Sequence, residues 1–167
     1  NSVLDKKIKD SFTQIWAIFF EFQIPTIINW KKFFGDIETW SIWAQCAYNQ
    51  NLVINKSFKE NLSPELTADN FIEKLNNEGT QGLNAMTISD LSGVPRPTAL
   101  RKLNNLIKRK LLKKDKNNLY LLFGVPKLDT KTIEKDINLK TIRDINKTNE
   151  ERFIRMLTKI LNTIVFN

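Results

Sequence analysis

Apolar residues recur at helical spacing near the start of the chain. Leu4, Ile8, Ile15, Phe19 and Phe22, with Phe12 and Trp16 widening the stripe, predict a helix over about Val3–Gln23. Pro25 is expected to end it, because the residue before a proline is pushed out of the helical region. A short amphipathic piece follows over Thr26–Phe34. Gly35-Asp36 reads as a turn and N-cap opening a helix to about Tyr48, with Ile37, Trp40, Ala44 and Ala47 on one face. Residues 49–62 are polar and rich in Asn and Lys, which predicts a loop. Ser63-Pro64-Glu65 has the N-cap, first-position proline and early acid of a helix reaching about Asn76, anchored by Leu66, Phe71, Ile72 and Leu75. Residues 77–82 are a turn-rich break.

The segment Leu83–Phe123 has a different rhythm. Asn84 is placed to cap a short helix, Ala85–Ser92, with Ala85, Ile88 and Ser89 inward. Gly93 suits a sharp turn with a left-handed backbone, and Val94 packs into the angle. Pro95 fits just before or at the start of a second helix, where no N–H is missed. That helix runs to about Lys110 with Ala99, Leu103, Leu106 and Ile107 inward. A strand, a turn at Asp115-Lys116-Asn117-Asn118 and the strand-like run Leu119–Phe123 then form a hairpin. Helical patterns cover about Thr130–Ile145 and Asn149–Ile164. The last places Phe153, Leu157, Ile160 and Ile164 on one face with Ile154, Leu161 and Val165 alongside, a wide surface for a terminal helix.

These elements predict one mainly α domain over 1–167 with a small β-hairpin. Its parts are N-terminal helices in 1–48, a loop plus short helix in 49–82, the compact segment 83–123 and C-terminal helices in 128–167. A content of 41% hydrophobic and 26% charged residues favours neither disorder nor a membrane protein. The most apolar stretch, Ile15–Ile28, is interrupted by Glu21, Gln23 and Pro25, whereas a bilayer span needs about 20 apolar residues. The opening NSVLDKKIKD carries charges without a following cleavage pattern, so no signal peptide and a cytoplasmic location are expected.

Single residue counts remove several chemistries. Histidine is absent, and with it the commonest general base and metal ligand. The single cysteine, Cys46, makes neither an intrachain disulfide nor a Cys-based zinc site, and is expected to be a buried small apolar residue. The five glycines form no phosphate-cradling loop. The chain is therefore expected to be a binder that uses no metal or cofactor and catalyses nothing.

The net charge of +8 is concentrated. Arg96, Arg101, Lys102, Lys108, Arg109, Lys110, Lys113, Lys114 and Lys116 stand within 21 residues against one acid, Asp115. This segment carries the whole net charge and leaves the other 146 residues neutral. A uniformly basic surface would be a solubility feature, whereas a concentrated one is the footprint of a polyanion partner; its alternative is a solvated charged helix face.

Short helix, glycine turn, basic helix and basic hairpin, in that order, predict a winged helix-turn-helix flanked by N- and C-terminal helices. The major groove of B-DNA admits one helix while the hairpin reaches adjacent backbone or minor groove. Over 83–123, and most closely in GVPRPTALRKL, the chain resembles the MarR-type family of bacterial transcriptional regulators. Elsewhere the resemblance lies only in the order of helices. The chain departs from that family in the long 49–83 connection, in Asp115-Lys116 where an Asp-x-Arg wing is common, and in Leu100 at a position that is often polar.

The resemblance places Pro97, Thr98, Arg101 and Lys102 toward the groove. Arg101 is the first candidate for base reading, since its planar fork matches guanine O6 and N7. Thr98 reaches a base or a phosphate, and Leu100 either meets thymine methyls or packs. Arg96, Asn105, Lys114 and Lys116 are read as phosphate contacts, with Asn117 beside them on the wing. Duplex DNA is favoured over RNA because Tyr120 and Phe123 are the module's only aromatics.

A two-fold DNA site implies a homodimer, with the first and last helices as its interface. Phe12, Trp16, Phe19, Phe20, Phe22, Trp30, Phe33, Phe34, Trp40 and Trp43 make the first third unusually aromatic, read as core and dimer interface. Their alternative reading, allowed by the resemblance, is a pocket for a small apolar effector. Two other function classes fit the same pattern: a winged helix used as a protein-interaction module, and an architectural or replication protein binding DNA without sequence preference.

Overall fold

A computed structural model describes residues 2–60, 81–123 and 136–166. The described residues are mainly helical, with one two-stranded antiparallel hairpin among them. The elements are α1 (Ser2–Asp10), α2 (Phe12–Phe34), α3 (Ile37–Glu60), α4 (Ala85–Ser92), α5 (Arg96–Lys108), β1 (Leu112–Lys114), β2 (Tyr120–Leu122) and α6 (Ile137–Phe166). The helix expected over Ser63–Asn76 lies outside the described residues.

The chain divides into two compact units, Asn1–Phe33 with Thr141–Asn167 and Phe34–Lys140. In the first, the two ends of the chain meet each other. Phe22 packs edge-on against Phe153 at 5.7 Å, and Lys159 Nζ donates to both carboxylate oxygens of Glu21 at 2.8 and 2.7 Å. Pro25 does not end the first helix but sits inside α2. It removes only the N–H that would bond the Glu21 carbonyl, and the Thr26 hydroxyl donates to the next carbonyl, Phe22, at 2.8 Å. Helical bonding also continues across Ser11, whose amide donates to Lys7 and whose carbonyl accepts from Ile15, both at 3.0 Å.

The expected break between Ile145 and Asn149 is likewise absent, and α6 is one helix of 30 residues. No Gly or Pro interrupts those positions, and Thr148 bonds back to the Asp144 carbonyl at 2.9 Å.

The second unit is built on α3, which packs against α4, α5 and β2. Asp36 caps α3 by accepting from the Thr39 amide at 2.7 Å. The buried stripe runs through Thr39, Ile42, Cys46, Gln50 and Ile54, rather than the expected Ile37, Trp40, Ala44 and Ala47 face; Ile37 is exposed. Helix α3 also continues twelve residues past Tyr48, into the predicted loop as far as Glu60. The polar residues there are tied to the rest of the unit. Asn49 Nδ2 donates to the Gln81 carbonyl at 2.6 Å, and buried Gln50 accepts from the Leu122 amide.

Phe34, Ile88, Val94, Ala99, Leu103, Leu106, Leu111, Leu112, Tyr120 and Leu121 complete the core. Cys46 is buried among them, and the loss of solvation pushes its thiol up to about 12. No described helix is long and apolar enough to cross a membrane.

Candidate nucleic-acid interface

The α4–α5 corner follows from four local choices. Asn84 Oδ1 accepts from the Thr87 amide at 2.9 Å, capping α4 where expected. Gly93 ends α4 at φ 68°, the left-handed conformation that costs other residues. The Ser89 hydroxyl donates to the Val94 carbonyl at 2.6 Å, closing the turn from inside, and Val94 is buried in the angle. Pro95 precedes α5 and Pro97 occupies its first turn, where the amides have no intrahelical acceptor.

Helix α5 is sharply two-sided. Ala99, Lys102, Leu103 and Leu106 are buried, while Arg96, Pro97, Arg101, Asn104, Asn105 and Lys108 are exposed and Thr98 and Leu100 are half-buried. Of the nine predicted site residues, Lys102 alone leaves this surface. It is 8% exposed and ion-paired to Asp36 at 2.7 Å and Glu38 at 3.3 Å. The reason is phase: position 102 lies three residues after Ala99 and beside Leu103, on the stripe turned to α3. Asn104, three positions beyond Arg101, shares the outward face, as the spacing alone would have placed it.

After α5 the chain turns through Lys110 at φ 56°. The Lys110 amide donates to Ile107 and the Leu111 amide to Leu106, both at 2.9 Å. This is a Schellman closure with lysine at the glycine-favoured position. The hairpin pairs Leu112 with Leu122, Lys113 with Leu121 and Lys114 with Tyr120. Leu83 joins as a single bridge, exchanging amide–carbonyl bonds with Tyr120 at 3.1 and 2.8 Å. Gly82 permits that approach, since a Cβ there would meet the Tyr120 carbonyl oxygen at 2.7 Å.

Asp115 accounts for the one negative charge in the segment. Its Oδ1 accepts from the Asn117 and Leu119 amides, both at 2.8 Å, and so holds the hairpin turn rather than a lysine. Asn118 completes the turn at φ 63°. Lys114, Lys116 and Asn117 are exposed around it, with the Lys114 ammonium 5.5 Å from the Tyr120 ring centre. Arg109 is turned inward over the Phe34 ring at 5.7 Å, and burial lowers its guanidinium below the usual range.

Seven cations of the basic segment remain outward: Arg96, Arg101, Lys108, Lys110, Lys113, Lys114 and Lys116. None has a carboxylate partner among the described residues. The exposed first turn of α5 adds the positive end of a helix dipole to this set.

The aromatic first third divides in two. Trp30 and Phe34 are buried, whereas Phe12, Trp16 and Phe20 are exposed. The cleft between α2 and α6 is lined by Ile18, Phe22 and Met156 together with Glu21, Arg152, Arg155 and Lys159, so it is more charged than a purely apolar effector would need. No family model, curated protein or solved structure matches the chain.

Proposed function

We propose that residues 83–123 form a winged helix-turn-helix and that the chain is a homodimeric, sequence-specific double-stranded DNA-binding regulator acting in the cytoplasm. The observation that carries this reading is the set of seven outward cations, from Arg96 on α5 to Lys116 on the hairpin turn, that have no carboxylate partner among the described residues. Helix α5, with 13 residues, is about 20 Å long, a length suited to lying in a major groove. Arg101 stands mid-helix on the outward face and reads a base edge, with Thr98, Asn104 and Asn105 beside it. Arg96, Lys114 and Lys116 hold phosphates on either side, Pro97 packs at the groove wall, and Asn117 borders the wing tip.

Dimerisation rests on a second observation. Leu4, Ile8, Phe12, Trp16, Phe20, Ile24 and Ile28 are all exposed and stand four residues apart along α1 and α2. Phe153, Leu157, Leu161 and Val165 repeat that spacing on α6, and they too are exposed. Such i±4 ridges are the surfaces by which helices interdigitate, and a second copy of the chain covers them.

The test is selection of bound duplexes from a random pool at about 0.15 M salt, where non-specific binding is weak. A two-fold-symmetric consensus is expected. Retention without a consensus would replace the regulator with an architectural DNA-binding protein, and no retention would leave a protein-interaction module.

A further inference from the structure

Among the basic residues of α5, Lys102 alone is buried, and its ammonium is bound at three points. Nζ donates to Asp36 Oδ1 at 2.7 Å and to Thr39 Oγ1 at 3.1 Å, and it lies 3.3 Å from Glu38 Oε2. These acceptors form the N-terminal cap of α3. Asp36 Oδ1 also takes the Thr39 amide at 2.7 Å, and Oδ2 takes the Thr39 hydroxyl at 2.9 Å. The ammonium is therefore tied to a group whose position is set by the α3 backbone.

The neighbouring contacts of α5 are apolar. Ala99, Leu103 and Leu106, all fully buried, set which face of α5 meets its partner, but apolar contacts are non-directional and can repack through small rotations about the axis. A buried ammonium with three acceptors is directional. Successive helix positions are about 100° apart, so whatever fixes Lys102 inward fixes Arg101 outward.

We propose that Lys102 is a positioning residue: its bond to the Asp36 cap of α3 fixes the fine rotation of α5 within the face set by its apolar stripe, and thereby aims Arg101 at the bases. This rests on the DNA-binding reading for its consequence, though not for its geometry. Lys102 contributes to selectivity without touching nucleic acid, and Asp36, on another helix and half-exposed at its side chain, is part of the same device.

The experiment compares the full chain with Lys102→Met, which keeps the stem and removes the charge, with Lys102→Arg, and with Asp36→Asn, which keeps a capping oxygen. Residual dipolar couplings report the orientation of α5 against α3. Titrations against the selected duplex and a scrambled one, across salt, report selectivity. Lys102→Met and Asp36→Asn should both shift the α5 couplings. They should lower the preference for the selected duplex about tenfold, the discrimination of roughly one misread base pair. The salt slope should stay unchanged, and Lys102→Arg should retain both properties.

Unchanged couplings in Lys102→Met and Asp36→Asn would overturn the proposal. So would a uniform weakening on both duplexes with the slope reduced by about one, the mark of a phosphate contact. If the unmodified chain binds no duplex, the function proposed above fails instead, and the couplings alone decide the role of Lys102.

Discussion

The side-chain carbonyl of Gln50 accepts a hydrogen bond from the backbone amide of Leu122, joining the middle of α3 to the second strand of the hairpin. Gln50 is 1% exposed, so its loss would leave a strand amide facing a dry interior. Gln50→Ala should destabilise the chain by about 1–3 kcal/mol, measured by urea denaturation. Faster hydrogen exchange at the Leu122 amide would localise the effect to the hairpin.

Arg101 and Lys116 should fail in different ways. Arg101→Ala is expected to cost about 1–3 kcal/mol of binding and to relax the selected consensus at one position. Lys116→Ala, on the exposed hairpin turn, should weaken all duplexes alike and reduce the salt slope by about one. Salt titrations on matched and scrambled duplexes separate the two. An Arg101→Ala protein with unchanged consensus would remove that residue from base reading.

Local signals carried the segment 83–123. The Asn84 cap, the Gly93 turn, the α4 limits and the Asp115–Asn118 turn depend on near neighbours, and each stands where its residue type predicts. The misreadings came mostly from long-range partners. Asn49 and Gln50 read as loop because they are polar, yet that polarity serves Gln81 and Leu122, which are distant in sequence. Pro25 read as a stop because a proline rule is local, while a helix can carry one missing N–H. Lys102 read as groove-facing because the resemblance over 83–123 implied it, and the acids that hold it lie more than sixty residues earlier. The phase of Ala99 and Leu103 already pointed it inward.

Lys110 occupies the left-handed position closing α5, where glycine is favoured. Lys110→Gly should therefore stabilise the fold by about 1 kcal/mol, seen as a higher denaturation midpoint. The same change removes one of the outward cations, so affinity for every duplex should fall. Gains in both stability and affinity would mean that the Lys110 charge is not used in binding.

The Asp36 carboxyl is subject to opposed effects. Burial raises it, but hydrogen bonds from Lys102 and from the amide and hydroxyl of Thr39, with the attraction of the Lys102 charge, hold it below its ordinary 3.8. A carboxyl depressed on folding stabilises fully above its unfolded value, and that contribution is lost as pH falls through the folded value. The stability gap between the unmodified chain and Asp36→Asn should therefore be constant near neutrality and shrink on acidification from about pH 5 to pH 3. Denaturation midpoints across that range check the sign; a gap that widens in acid would contradict the pairing.

The exposed ridge of α1 and α2 and that of α6 make the last prediction. A row of apolar side chains four residues apart is costly to leave in water, and Ile24 and Leu161 are each more than half exposed. Ile24→Asp and Leu161→Asp place a charge on each ridge, which hydrates readily in a monomer and is penalised in a dry interface. Both variants should sediment as monomers at micromolar concentration while the unmodified chain sediments as a dimer. Helical circular dichroism should be retained. Binding to the two-fold duplex should weaken, since each module would then hold its half-site without the other, while binding to a single half-site should change little. Should the unmodified chain sediment as a monomer, the ridges would have to be covered by a different protein, and the two-fold duplex would lose its structural counterpart.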